Sequence, residues 1–117
     1  MLSVVFVAAL ALVQSSPPGE ADLAPVFGNT LVSTYPDGRT ARLWMRAGGV
    51  YEGTGRRGEH TAGSWRVRDG KVCFSQRRPI PMPVTYCTPI VRGSVGARWT
   101  ARAVTGETIQ VQLVAGR

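Results

Sequence analysis

Two cysteines, Cys73 and Cys87, are the residues of this sequence with the clearest chemistry. They are not spaced as the Cys-x-x-Cys of a redox motif. In an oxidising compartment such a pair closes into a disulfide, and on a chain-entropy model a loop of about 15 residues gains ~3 kcal/mol of stability. We therefore predict that Cys73 and Cys87 form a structural disulfide.

Catalytic side chains are harder to find. Acid–base catalysis needs tunable groups close together, yet the acidic residues lie mainly in the N-terminal tail or at turn signals. Glu59 and His60 are neighbours, and neighbours on an extended strand point apart. His60 is the only histidine, so the histidine and cysteine inventory cannot supply the three or four ligands of a zinc site. We expect no catalytic residues, no metal, no cofactor and no enzymatic activity.

Basic residues suggest binding instead. The net charge is +7, and 13 of the 14 basic residues are arginines, which form planar bidentate contacts with carboxylates, phosphates and sulfates. A codon bias toward arginine would explain the same composition. The basic residues also alternate with apolar residues along the predicted strands, and any sheet with one face in solvent shows such alternation. The candidate binding residues, all on the polar phase of predicted strands, are Arg42, Trp44, Arg46, Arg66 and Arg68.

Short β-strands joined by tight turns must position these residues. Tyr35 to Arg39 reads as an x-Pro-Asp-Gly-x turn, and Asp69-Gly70 favours a two-residue hairpin turn with positive φ at both positions. No segment of helical length keeps a 3.6-residue apolar period, so helix should be nearly absent. The predicted strands are Phe27 to Tyr35, Thr40 to Ala47, VYEGTG, SWRVR, KVCFS, VTYCTPIV, ARWTARAV and TIQVQLV. The sequence thus predicts an all-β fold, an antiparallel meander of about eight strands forming a small barrel or strongly curled sheet with one disulfide.

The N-terminus predicts export. The apolar run from Leu2 to Val13 is shorter than the ~20 residues of a membrane span and suits a signal peptide. Because a positive n-region is missing, a start codon annotated too late or an uncleaved N-terminal anchor are alternatives. We expect a signal peptide at 1–15, a flexible segment at 16–26 and a single β domain at 27–117, in a periplasmic or secreted protein that does not span the membrane.

The spacing of Gly, Trp and Cys carries a resemblance. The chain resembles small exported bacterial lipocalin-like domains of unknown function. The matching segments, in order, are Gly28-Asn29-Thr30-Leu31, GGVYEGTG, and GSWRV with DGKVCF and a second cysteine downstream. The resemblance covers residues 27–114. It implies an antiparallel barrel-like sheet in the envelope or outside the cell, and no shared catalytic residues. A second resemblance, to small disulfide-stapled periplasmic protease inhibitors, depends on the flexible segment SPPGEADLAP.

Three binding hypotheses follow from these observations. In the first, the basic face binds an anionic envelope polysaccharide or lipid head groups. In the second, a protein-interaction or inhibitor module presents the disulfide-anchored proline loop 77–83 to a protein partner. In the third, the barrel holds an apolar ligand, but Trp65, Phe74 and Trp99 lead us to expect a filled interior. Export argues against a nucleic acid as the partner in vivo.

Overall fold

Alternating apolar and polar residues produce eight strands in the computed structural model, which describes residues 16–117. The predicted signal peptide at 1–15 lies outside the described residues. A 3₁₀ helix, η1 (Glu20–Val26), precedes the first strand. The strands are β1 (Thr30–Thr34), β2 (Thr40–Arg46), β3 (Val50–Thr54), β4 (His60–Arg68), β5 (Lys71–Arg78), β6 (Tyr86–Pro89), β7 (Arg98–Arg102) and β8 (Thr108–Val114).

The strands form one antiparallel sheet with the order β6-β5-β4-β3-β2-β1-β8-β7, curled into a nearly closed barrel. The predicted all-β fold and its eight strands are confirmed. Every strand pairs with the next along the chain except β6 and β7, while β1 pairs with β8. The barrel is therefore interrupted between β6 and β7. At this seam the Tyr86 hydroxyl donates a hydrogen bond to the Arg102 carbonyl.

The Asp69-Gly70 hairpin forms as the sequence predicts. Asp69 has φ 51° and Gly70 has φ 74°, so both central residues adopt positive φ. Arg68 faces Lys71 directly across the turn. β4 differs from the prediction at its other end, because it begins at His60 and not at Ser64. The extra residues pair with β3, with Thr54 opposite His60.

Because antiparallel strands alternate in direction, the connections divide between two ends of the barrel. One end, called the open end, carries the connections at residues 35–39, 55–59, 79–85 and 103–107. The other, called the closed end, carries those at residues 47–49, 69–70 and 90–97, together with η1. The two ends differ in how completely side chains fill them.

η1 covers the closed end. Leu23 and Val26 are 5% and 7% exposed and pack with Met45, Trp65 and Leu113 in the main hydrophobic cluster. The Gly19 amide donates to the Asp22 carboxylate at 2.8 Å at the start of the helix. The sequence indicated a flexible segment at 16–26, whereas Glu20–Val26 is helical in the structure. A seven-residue 3₁₀ helix containing Pro25 is too short to show a 3.6-residue period.

Candidate functional site

The barrel encloses a cavity of about 340 Å³. Small-molecule sites in proteins occupy about 300–1,000 Å³, so the cavity is of ligand-binding size. The expectation of a filled interior was therefore wrong. Trp65 fills the closed end by stacking on Phe27 with ring centroids 5.7 Å apart, but Phe74 and Trp99 line the cavity wall without filling it. Small inward side chains such as Ala101 leave the space between them empty.

The cavity runs from η1 to the open end. Leu23 and Val26 of η1 form its floor with Met45, and exposed Met82, Val84 and Val104 border its mouth. The walls are largely apolar side chains from the strands, and they include Leu31, Leu43, Tyr51, Val72, Phe74, Tyr86, Trp99, Ala101, Ile109 and Val111. Such a lining favours a ligand with an apolar body.

Aromatic rings shape one wall. The Tyr51 and Phe74 rings meet edge to face with centroids 5.3 Å apart, and Phe74 stacks on Tyr86 at 6.3 Å. Aromatic side chains offer large contact areas with few rotatable bonds, so their ordering costs little entropy when a ligand binds. This wall is a preformed apolar contact surface.

A few polar groups interrupt the apolar lining. Ser33, Thr61 and Gln76 face the cavity, and so do the rings of Tyr35 and Tyr51. Burial raises the pKa of both tyrosines, although the nearby Arg56 guanidinium partly offsets the effect at Tyr35. Both phenols are therefore neutral at physiological pH and can donate hydrogen bonds. The lining can accommodate a polar group on an otherwise apolar ligand.

Arg56 ties together three connections at the open end. Its guanidinium makes two hydrogen bonds to the Glu107 carboxylate, at 3.2 and 2.8 Å, and lies 3.6 Å from the Asp37 carboxylate. The same guanidinium lies over the Tyr35 ring, 4.2 Å from its centroid. The sequence did not predict this cluster, because turn chemistry alone accounts for Asp37 and the three charged residues lie far apart in the chain.

Lowering the pH should weaken the contacts between Arg56 and its carboxylate partners. Hydrogen bonds from Arg56 and then from Thr105 hold the pKa of Glu107 below its ordinary value. A carboxylate whose pKa is lower in the folded protein stabilises the fold above its unfolded pKa, and that stabilisation is lost as pH falls through the folded pKa. Hydrogen bonds with Arg117 lower the pKa of Glu52 in the same way, and the Gly19 amide lowers that of Asp22.

We expect the free energy of unfolding, measured by urea titration, to fall as the pH drops below about 4.5, the region where glutamates titrate. Glu107→Gln should show a shallower decline than the unmodified protein, because one of the responsible carboxylates is gone. Glu20→Gln is the matched control, since Glu20 is exposed at the start of η1. An equal pH slope for Glu107→Gln and Glu20→Gln would contradict the prediction.

The five predicted binding residues lie on two strands of one sheet but do not form one compact cluster. β2 carries Arg42, Trp44 and Arg46, whereas β4 carries Arg66 and Arg68, and β3 lies between them. Neighbouring strands are about 4.8 Å apart, so the two groups are separated by roughly 10 Å or more. The four arginines are exposed and Trp44 is half-buried.

Trp44 and Arg46 are engaged within the protein. The Trp44 indole N–H donates to the Thr30 hydroxyl at 2.8 Å, and the Arg117 guanidinium lies 4.5 Å from the Trp44 ring centroid. Glu52 accepts a 2.6 Å hydrogen bond from Arg117 and lies 3.6 Å from Arg46. The contacts of Arg117 with Trp44 and Glu52 were not predicted, because no local sequence pattern connects Arg117 to β2.

The predicted disulfide is confirmed: Cys73 and Cys87 are bonded and stand directly opposite each other on β5 and β6. Among residues 16–117, no three side chains of histidine, cysteine, aspartate or glutamate come together as a metal site would require. Within this described part of the chain, no helix has the length and apolar character needed to cross a membrane.

No protein-family model, curated protein or solved structure matches this chain. The fold and the site thus define its class by themselves. It is an eight-stranded antiparallel barrel, nearly closed, with one disulfide and a largely apolar internal cavity.

Proposed function

We propose that this protein is a binding module that holds one small, mainly apolar ligand inside the barrel. The single observation that carries the proposal is the cavity of about 340 Å³, with its apolar and aromatic walls and its few polar groups. Eight-stranded barrels have an interior just wide enough to hold one small ligand where side chains leave it empty. The activity is binding, without a chemical step.

The proposal includes a location outside the cytoplasm, in the periplasm or secreted. The Cys73–Cys87 disulfide fits an oxidising compartment, and the apolar run from Leu2 to Val13 has the length of the apolar region of a signal peptide. Membership of the lipocalin-like domains belongs to the same proposal, and the barrel with its internal cavity supports it.

A cavity-filling substitution tests the proposal. Ala101 faces the cavity from β7, while its neighbour Thr100 is exposed on the outer side of the same strand. With the uncharged fluorescent probe N-phenyl-1-naphthylamine, we expect one bound probe per protein and at least about tenfold weaker binding by Ala101→Phe, a loss of ~1.4 kcal/mol. The matched control Thr100→Phe should bind as the unmodified protein does.

Two outcomes would overturn the cavity proposal. One is the absence of probe binding to the folded, unmodified protein. The other is equal binding by Ala101→Phe and Thr100→Phe, which would place the probe outside the barrel. Circular dichroism of each variant verifies that the fold is retained before binding is compared.

A second candidate function is the binding of an anionic polymer or lipid head groups on the outer face of the sheet. One observation favours it: strands β2 to β5 carry a single acidic residue, Glu52, and seven exposed basic residues. The seven are Arg42, Arg46, Arg66, Arg68, Lys71, Arg77 and Arg78. Such a surface attracts polyanions, and salt screens the attraction.

Immobilised lipopolysaccharide, eluted with a salt gradient, tests this second candidate. We expect the combined Arg42→Ser, Trp44→Ser and Arg46→Ser variant to elute at clearly lower salt than the unmodified protein. Elution of both proteins at the same salt concentration would show that this part of the face is ordinary solvated surface.

A further inference from the structure

We propose that the open end of the barrel docks on an anionic lipid bilayer, with residues 79–85 inserting into the interface between head groups and acyl chains. We call residues 79–85 the mouth loop. The docking would let an apolar ligand pass between the bilayer and the cavity without crossing water. This consequence of docking, but not the docking itself, rests on the proposed function.

Exposed apolar side chains gather at the open end. Ile80, Val84 and Val104 are 66%, 59% and 56% exposed, and they are the three most exposed large hydrophobic residues of the described chain. Met82 adds a further partly exposed side chain at 38%. The connections that carry Val84 and Val104 lie on either side of the seam. There the Tyr86 hydroxyl, directly after the mouth loop, donates a hydrogen bond to the carbonyl of Arg102, two residues before Val104. Met82, Val84 and Val104 border the mouth of the cavity.

The backbone of the mouth loop is suited to an environment with little water. Pro79, Pro81 and Pro83 have no amide hydrogen, so three donors that would need partners are missing. The Met82 amide donates to the Gln76 carbonyl at 3.1 Å, and the Gln76 side chain donates to the Ile80 carbonyl at 3.3 Å. Unsatisfied backbone groups are costly in lipid, and this loop carries fewer of them than an ordinary loop.

Basic residues flank the apolar tip. Arg77 and Arg78 are exposed at the end of β5 directly before the mouth loop, and Arg102 is exposed at the end of β7. Of the acidic residues at the same end, Asp37 and Glu107 face Arg56, and exposed Glu59 accepts a hydrogen bond from the Arg57 amide at 3.1 Å. Basic side chains close to an anionic bilayer are attracted to its negative surface potential. An apolar tip with a basic rim therefore fits anionic lipid better than an uncharged surface.

The disulfide holds the mouth loop in place. Cys73 and Cys87 join the two strands that flank it, and the Ser75 and Thr85 side chains lie 3.3 Å apart at its base. A segment that is already ordered loses less conformational entropy on binding than a flexible one. Docking would thus require little rearrangement of the loop.

Sedimentation with vesicles tests the proposal. The probe is a vesicle of equal parts phosphatidylcholine and phosphatidylglycerol, compared with phosphatidylcholine alone. We expect binding to the anionic vesicle, reduced at least about tenfold by Ile80→Ser with Val84→Ser, because the apolar area buried in lipid is lost. Arg77→Ser with Arg78→Ser should weaken binding to the anionic vesicle.

Two matched controls separate the mouth loop from other surfaces. Val91→Ser with Val95→Ser alters two exposed valines at the closed end, and Arg42→Ser with Arg46→Ser alters the outer face of β2. The Val91/Val95 control should bind vesicles nearly as the unmodified protein does, and the Arg42/Arg46 variant should lose less binding to the anionic vesicle than the Arg77/Arg78 variant loses. Equal binding by the Ile80/Val84 variant and the Val91/Val95 variant would overturn the proposal, and so would dependence on Arg42 and Arg46 alone.

A second measurement locates the loop directly. Quenching by brominated lipid in the anionic vesicle should be stronger for Ile80→Trp than for the unmodified protein, which contains Trp44, Trp65 and Trp99. Equal quenching of the two proteins would argue against insertion. Probe binding without vesicles should be unchanged in Ile80→Ser, because Ile80 does not line the cavity. If the unmodified protein binds the probe but not the vesicles, the docking proposal alone is rejected. If the unmodified protein does not bind the probe, the proposed ligand-binding function is rejected.

Discussion

Trp65→Ala should lower the free energy of unfolding by about 3–5 kcal/mol, the usual cost of removing a large buried aromatic side chain. Trp65 is 5% exposed and stacks on Phe27, which follows η1. Its indole N–H donates to the carbonyls of Arg46 and Val50, both at 3.0 Å, and so spans the turn between β2 and β3. The substitution removes the side chain that joins η1, this turn and the sheet.

The expected loss is large relative to the stability of a small domain, which is commonly about 5–15 kcal/mol in total. Urea unfolding followed by circular dichroism measures it. Trp65→Phe keeps a ring in place but leaves two carbonyls without the indole donor, so its cost should be smaller, about 1–3 kcal/mol. This milder variant provides a measurement even if Trp65→Ala does not fold.

Trp44→Ala is the matched control for Trp65→Ala. Trp44 is half-buried on the outer face, where it donates one hydrogen bond to Thr30 and lies beneath Arg117. We expect its removal to cost about 1 kcal/mol. The account of the closed end would be wrong if the Trp44 and Trp65 substitutions were equally destabilising.

Removal of the disulfide by Cys73→Ala with Cys87→Ala should cost about 3 kcal/mol, the value expected for a loop of about 15 residues. β6 has only four residues and pairs with β5 alone, since the seam leaves its other edge without a partner strand. The covalent link therefore holds the shortest strand against the sheet. Its loss should release β6 and the mouth loop before the rest of the barrel.

Urea unfolding with and without a thiol reductant measures this effect. Reduction of the unmodified protein should lower its midpoint toward that of the double alanine variant, and the variant itself should not respond to the reductant. An unchanged midpoint after complete reduction, verified by thiol titration, would show that pairing between β5 and β6 suffices without the covalent link.

Local patterns predicted most of the fold. Alternation in β2, β4 and β8 identified the faces of the sheet, and Asp69-Gly70 identified its hairpin, because both signals depend on neighbours in the chain. η1 was missed because seven residues with an internal proline show no helical period. The pairing of β1 with β8 has no local signal of any kind, and neither has the seam between β6 and β7.

The candidate site was less predictable than the fold. Alternation shows that Trp65 and Trp99 both point inward, but not how deep along the barrel each one lies. That depth decides whether an inward tryptophan fills the interior or leaves room beside it, because Trp65 fills the closed end whereas Trp99 lines the cavity. The ion pairs at the open end were not predicted for a similar reason. Asp37, Arg56 and Glu107 come together only when three separate connections have folded.

The pairing of β1 with β8 has a consequence for the order of folding events. Thr30 donates a hydrogen bond to Gly116 across a sequence separation of 86, whereas the hairpins from β2 to β5 involve only nearby residues. Long loops are costly to close, so local hairpins should form early and the barrel should close late. The cavity exists only after that closure, and a ligand inside it would therefore prolong the life of the native state by slowing unfolding, with little effect on the folding rate.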